Sequence, residues 1–355
     1  MSDGTVIGFP GGSARSGPPR VAVIGAGLSG LACAERLIGR GWPVTVFDKG
    51  RAPGGRMATR RADAGGGAGG DAGLRFDHGA QYFTARDPRF RDRVEDWVAQ
   101  GAAAPWTGRI VRIGKDGGIE ESPGERFVGT PGMTAPARLL ARSVAPRSGV
   151  RVAEVVQGDD GWRLRDEAGR DLGSYGRVAV AVPSPQAVPL LAEAPDLAAA
   201  AADAVMAGCW SVMARFPRPL GPDYDGAFVM ESPLSWIARD SSKPGRDAGG
   251  GETWVLHGSP EWSQRHIEDD PAAVIARLTA AFRELAGLGA AEADHLAAHR
   301  WRFSIPVRGL EQECLYDPER GLGACGDWCL GGRVEGAFLS GLALADRILA
   351  DGAPV

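Results

Sequence analysis

Arg20 to Ile24 (RVAVI) is a run of apolar, largely β-branched residues that meets Gly25-Ala26-Gly27-Leu28-Ser29-Gly30 with nothing in between. Such a run suits a strand buried on both faces of a parallel sheet. Leu28 to Arg40 then places Leu31, Ala34, Leu37 and Ile38 at helical spacing, and Gly41 ends the helix. The next strand, Pro43 to Asp48, closes on an acid. In this order the first glycine makes a tight turn, the second lets backbone approach a pyrophosphate, and the third lets helix and strand pack closely. The helix N-terminus offers free N–H groups and a positive dipole end, and Asp48 is placed to accept from ribose hydroxyls. With 53 glycines in the chain, glycine spacing alone would arise by chance. The sequence of strand, loop, helix, strand and acid is what makes the signal specific.

That fingerprint serves NAD and FAD alike, and the following segment separates them. Lys49 to Met57 (KGRAPGGRM) carries Gly54-Gly55-Arg56, which resembles the second phosphate-contacting motif of glutathione-reductase-like flavoproteins. A guanidinium fork suits phosphate oxygens, and paired glycines let backbone come close, so Arg56 is expected on the pyrophosphate or flavin side. The cofactor contacts expected in this region are Gly25, Gly27, Leu28, Ser29, Gly30, Asp48, Lys49, Arg51, Gly55, Arg56 and Met57. Ala64 to Gly73 reads as a glycine-rich surface insertion. Beyond it, Asp77 to Phe83 (DHGAQYF) offers small Gly79 and Ala80 for a flat ring, with Gln81 and Tyr82 as polar groups at its edge.

Gly149 to Leu164 reads as a hairpin and Arg177 to Val182 as another buried strand, with the backbone of Val152 expected near an adenine. Near the C-terminus, Leu322 to Asp327 looks like a strand ending in Gly326-Asp327, followed by Gly331-Gly332-Arg333-Val334 and a helix to about Ala350. The start of that helix, at Arg333 and Val334, would aim N–H groups at a flavin pyrimidine, and Asp327 would hold the ribityl or phosphate end.

A chain of 355 residues, 44% hydrophobic and 24% charged, is large enough for two lobes. The pattern predicts an α/β fold: a discontinuous Rossmann-type FAD-binding domain over 20–85, 130–202 and 316–352, an interleaved α+β substrate domain over 86–129 and 203–315, and a disordered tail over 1–19. A net charge of −4 without basic aromatic-laced runs argues against nucleic acid. No apolar stretch reaches the roughly 18 residues of a membrane span, and no leader pattern opens the chain, so a cytoplasmic protein is expected. Cys33, Cys209, Cys314, Cys325 and Cys329 are scattered, which predicts free thiols and no metal site. Oligomeric state is not legible.

In the second lobe Cys209 to Phe216, Ser235 to Arg239, Glu252 to Gly258 and His299 to Ser304 read as strands, with a helix over Ala272 to Leu288. Trp210, Trp236, Trp254, Trp262 and Trp301 concentrate here, mostly as core, with one or two expected against a flat substrate. Bases are scarce: the only lysines are Lys49, Lys115 and Lys243, and of five histidines His78 and His257 sit where they could reach a cleft. Amine or alcohol oxidation usually benefits from a base beside the flavin, whereas a dihydropyridine gives up hydride with no proton to remove.

From Arg20 to Ala350 the chain resembles the bacterial renalases of the FAD-dependent amine-oxidase fold group. The resemblance is carried by Gly79 to Asp87 (GAQYFTARD), Trp254 to His257 with Trp262-Ser263, His299-Arg300-Trp301, and Cys325 to Gly341. It implies noncovalently bound FAD, with the 2- and 6-dihydro isomers of NAD(P)H as substrate, O2 as electron acceptor and H2O2 as product. It implies a nicotinamide-side pocket shaped by Tyr82, Trp236, Arg239, His257 and Arg302, with Tyr82 and His257 as catalytic candidates. The lysine that amine oxidases place near the flavin has no counterpart on the strand at His299 to Ser304, and Trp301-Arg302-Phe303 stands where the bacterial enzymes are expected to carry a tyrosine. Two alternatives stay open: an amine or small-metabolite oxidase with His257 or His78 as base, and a non-catalytic redox sensor.

Overall fold

The computed structural model describes residues 18–62, 73–246 and 248–352. The expected tail, apart from residues 18 and 19, and the expected insertion, apart from Gly73, lie outside these residues.

Val21–Ile24 is central to a six-stranded sheet, flanked in parallel by Arg177–Val180 and Val44–Asp48. Leu322–Ala324 and Arg147–Ser148 extend it in parallel, and Leu315–Asp317 closes one edge antiparallel. The central strand is apolar throughout because both its faces are covered. Val21 and Val23 pack with Leu31 and Leu37 of the helix Leu28–Ile38 and with Leu344 and Ile348 of the helix Val334–Asp351. Ala22 and Ile24 face the opposite core, against Trp162, Leu164 and Tyr175 of a three-stranded meander. The expected hairpin is present in that meander as Val152–Gly158 and Gly161–Asp166. The first and last helices cross backbone to backbone, since a Cβ on Gly341 would stand 2.1 Å from the carbonyl oxygen of Ser29.

A second sheet has seven strands in the order His295–Arg308, Val205–Phe216, Glu252–Gly258, Leu234–Arg239, Gly226–Val229, Ile110–Ile113 and Ile119–Glu121. The last three were not anticipated from the sequence. One face is sealed by the helix Pro271–Leu285, whose Val274, Leu278 and Phe282 pack with Trp210, Trp254 and Leu256. Side chains directly opposed across strands share a face. The other face therefore carries a row set by register: His299 opposite Ser211, Ser211 opposite His257, His257 opposite Trp236, and Trp236 opposite Phe228. The segment Asp77 to Tyr82 from the first lobe lies against that row, through His78–His299, Gln81–His257 and Tyr82–Trp236 contacts. The fold class is the expected one, a Rossmann-like parallel sheet with an interleaved α+β lobe.

Candidate cofactor and substrate site

The glycine loop divides its work as its chemistry requires. Gly25 adopts φ +111°, and a Cβ there would lie 2.4 Å from the carbonyl oxygen of Ala181; one on Gly30 would lie 2.0 Å from the carbonyl oxygen of Gly25. Those two positions are closed by the fold. A Cβ on Gly27 would meet nothing within 4 Å. Gly27 is also the N-cap of the first helix and supplies no side-chain cap, so the helix end faces open space. The Asp48 carboxylate is beside it, accepting from the backbone N–H of Ala26 and of Gly50, each at 2.6 Å. The second glycine pair abuts the first: Gly54 donates to the carbonyl oxygen of Ala26 at 2.9 Å. Gly55 is left-handed at φ +52°, with Gly27 Cα 3.5 Å from where its Cβ would stand. An uncapped helix end, an open glycine and an acid at the next strand tip fit the ADP half of a dinucleotide.

Leu28 and Met57 are core residues. Lys49 reaches Gln186 at 3.1 Å, and Arg51 is exposed. Val152 is buried in the second core and pairs opposite Asp166. Arg333 is the exposed N-cap of the last helix, which has no side-chain cap either, and Val334 opens it. Arg56 departs from expectation. Its guanidinium grips Asp327 in a bidentate fork at 2.8 and 2.6 Å and donates to the carbonyl oxygen of Ser304 at 2.9 Å. Arg56 was expected on the pyrophosphate or flavin side and Asp327 at the ribityl or phosphate end; here they hold each other, because a carboxylate matches the planar fork as well as a phosphate does. The pair ties Gly326-Asp327 to the Gly54-Gly55-Arg56 turn, which also holds the segment at Gly79, since Ala80 donates to the carbonyl oxygen of Arg56 at 2.8 Å. A Cβ on Gly79 would stand 2.0 Å from that oxygen and 3.4 Å from the ring of Trp301.

Aromatic rings gather beside this segment. His78 stacks on Trp301 at 5.2 Å, and His299 meets His78 edge-on at 4.7 Å. Tyr82 lies 5.5 Å from Trp236, which contacts Phe228 at 4.7 Å and Trp106 at 6.5 Å. Burial holds His78 in its neutral form, lowering its pKa to about 4, and His299 adds to the shift. For His257, burial and then the Lys243 ammonium lower the pKa to about 4. Both rings are uncharged at neutral pH and weak as bases.

Two arginines leave the pocket expected for them. On Leu234–Arg239 the side chains alternate, so Arg239 faces away from Trp236. Its guanidinium bonds Asp225 at 3.1 and 2.5 Å and Glu252 at 3.0 Å. Arg302 alternates with Trp301, is exposed, and pairs with Glu268. His299 and Trp301, two residues apart on one strand face, are the members of that motif that reach the site.

A buried charge cluster was also missed. Asp77, Asp240 and Lys243 have side chains 0% exposed and Arg246 1%, and Lys243 Nζ lies 3.3 Å from Gln81 Oε1. Asp77 accepts from Thr59 Oγ1 at 2.7 Å, from the Met133 N–H at 2.9 Å and from Arg246. Burial works to raise the Asp77 pKa, but Arg246 and Lys243 overcome it and hold the carboxyl below its usual range. Asp240, less fully compensated, is raised by burial.

The chain matches two family models. One, an NAD(P)-binding Rossmann-like domain, covers residues 23–97; the other, flavin containing amine oxidoreductase, covers residues 111–349. The chain belongs to the flavin-containing amine oxidoreductase family. FAD is the cofactor of that family, and the open Gly27 with Asp48 beside it has the shape the ADP half of FAD requires. Curated relatives match over short stretches: 54% identity over 48 residues with phytoene desaturase of Cereibacter sphaeroides, and 38% over 77 residues with protoporphyrinogen oxidase 2 of Arabidopsis thaliana. These stretches cover 14% and 22% of this chain and 9% and 13% of the relatives. Among solved structures, UDP-galactopyranose mutase superimposes with a TM-score of 0.73 at 12% identity, covering 94% of each chain. Cyclohexylamine oxidase from Brevibacterium oxydans gives 0.71 at 14% identity, covering 94% of this chain and 99% of its own. These similarities concern the fold. Among the described residues no helix is long and apolar enough to cross a membrane, and no cluster of His, Cys, Asp and Glu is placed to hold a metal.

Proposed function

We propose that this flavoprotein is a renalase-like oxidase that converts the 2- and 6-dihydro isomers of NAD(P)H to NAD(P)+. The observation that carries the reading is the composition of the wall beside Gln81: aromatic rings from Tyr82, Trp236 and Phe228, with His78 and His257 held neutral by burial. Such a wall suits a flat ring that loses hydride without first losing a proton.

In this reading the helix end at Gly27 and the Asp48 carboxylate hold the ADP half of FAD, and the Arg56–Asp327 pair fixes the loops around Gly79 and Gly326. When bound, FAD supplies a two-electron acceptor that hands its electrons to O2, releasing H2O2. Tyr82 and Trp236 orient the dihydropyridine ring, and the enclosing aromatics keep water from it. Noncovalent binding of FAD is supported by the cysteines: Cys33, Cys209, Cys325 and Cys329 are buried, and burial pushes each thiol pKa up, as it does for half-buried Cys314. The test is peroxide release from parallel incubations with 6-dihydroNAD, ordinary NADH, putrescine and cyclohexylamine. Turnover confined to the 6-dihydro isomer supports the reading; turnover confined to the amines replaces it with an amine oxidase.

A further inference from the structure

Gln81 is surrounded by groups whose hydrogen-bonding roles are fixed. Its Oε1 faces Lys243 Nζ at 3.3 Å and Trp236 Nε1 at 3.4 Å, both of which can only donate. Its Nε2 faces the carbonyl oxygens of Asp77 and, at 3.1 Å, of Gly79, which can only accept. The reverse amide orientation would set donor against donor and acceptor against acceptor, so the orientation follows from the partners alone. The same Nε2 lies 3.4 Å from Nε2 of His257. Both amide N–H groups have carbonyl partners, and a ring N–H set against that NH2 would place donor against donor, so the arrangement favours a bare ring Nε2 and a proton on Nδ1.

Lys243 is the least expected member of this arrangement. Its side chain is wholly buried, and its three N–H groups have three acceptors: Asp240 Oδ1 at 2.6 Å, Asp77 Oδ2 at 3.5 Å and Gln81 Oε1 at 3.3 Å. Its ammonium also lies 5.5 Å from the centre of the Trp106 ring. A buried ion cluster of this kind contributes little net stability, and its best attested use is to fix one arrangement against others. The arrangement it fixes here is the direction of the Gln81 amide.

We propose that Lys243 is a positioning residue: by holding Gln81 Oε1 it fixes His257 as the neutral tautomer protonated on Nδ1, with its bare Nε2 turned to the Gln81 amide. What this means for substrate rests on the oxidase reading above; the tautomer itself does not. The charged and titratable groups around His257 act in one direction. Lys243 opposes a second positive charge on the ring, as does His78, and His78 in turn feels His299 and Arg60. Asp77 and Asp240 are occupied by Lys243 and Arg246.

The experiment is imidazole 15N NMR on the FAD-loaded protein, labelled only at its five histidines, with His257 assigned by substitution. In the wild type His257 should show a protonated Nδ1 and a bare Nε2, unchanged from pH 8 to pH 5.5. In Lys243→Met the two nitrogens should move toward averaged shifts, and protonation should begin at a pH at least one unit higher, a tenfold change in the ring's proton affinity. A wild-type ring protonated on Nε2, or a Lys243→Met spectrum and titration identical to wild type, would overturn the proposal. Should Lys243→Met fail to fold, Gln81→Leu tests the same link with the ion cluster intact. It too should lose the fixed tautomer, and retention of it would refute the role of Gln81. Because the readout is the tautomer, it stands or falls independently of which substrate the enzyme oxidises.

Discussion

Replacing Gly27 by alanine separates cofactor binding from folding. The added methyl meets no protein atom within 4 Å, and the backbone at φ −73°, ψ 176° is ordinary for alanine. Only the weaker N-cap preference of alanine is lost, about 0.5 kcal/mol, which moves the melting temperature of a chain this size by roughly 2 °C or less. The methyl does stand in the open space before the helix end, where the pyrophosphate must approach. Losing one or two charge-assisted hydrogen bonds there, at about 1.5 kcal/mol or more each, raises the Kd for FAD on the order of 10- to 100-fold. Gly30→Ala is the contrasting control: its methyl would stand 2.0 Å from the carbonyl oxygen of Gly25. That overlap costs about 1–3 kcal/mol and lowers the melting temperature of the apoprotein itself. Thermal melts of the apoproteins and fluorescence titration with FAD measure both quantities. A Gly27→Ala protein that binds FAD like wild type, or melts like Gly30→Ala, would refute the assignment of Gly27 to the cofactor.

The histidines give stability a pH dependence of definite sign. His78 and His257 titrate near pH 4 when folded and near 6.5 when unfolded, so the unfolded chain binds up to two more protons between those values. Denaturant unfolding should show stability fully present above pH 6.5 and falling toward pH 4, and a flat profile would contradict the buried neutral rings. Trp236→Ala should raise KM about tenfold through lost ring contact while leaving FAD content unchanged, as read from the visible spectrum and steady-state kinetics. Arg302→Ala, removing an exposed side chain paired with Glu268, should leave KM and kcat within about twofold of wild type, the measured effect expected of a surface change; a large rise in KM would return Arg302 to the pocket.

What could be read from the sequence was what local geometry determines. Gly25, Gly27, Gly30 and Asp48 lie within one strand-helix-strand unit, and a single chemical task dictates their spacing. Arg239 and Arg302 were misplaced because the face a strand residue occupies depends on register against its neighbours. A shift of one residue would exchange Arg302 with Trp301. The alternation itself was visible: His299 and Trp301 share a face, and once Trp301 is placed near Gly79, Arg302 is excluded. The Asp77–Lys243 cluster was not legible, since its members come from segments more than 160 residues apart and a lone lysine in a loop has no sequence pattern to mark it. The Arg56–Asp327 pair was half legible. Both residues were singled out as cofactor contacts, and only their separation of 271 positions concealed that they meet.

Whether the aromatic wall at Tyr82 and Trp236 receives a dihydronicotinamide is decided by anaerobic rapid mixing of the FAD-loaded enzyme with stoichiometric 6-dihydroNAD, followed by absorbance near the flavin visible maximum. The flavin should bleach fully within seconds with one NAD+ formed per flavin, and ordinary NADH should react far more slowly. A flavin that stays oxidised with the 6-dihydro isomer while an amine reduces it would rule out the dihydronicotinamide.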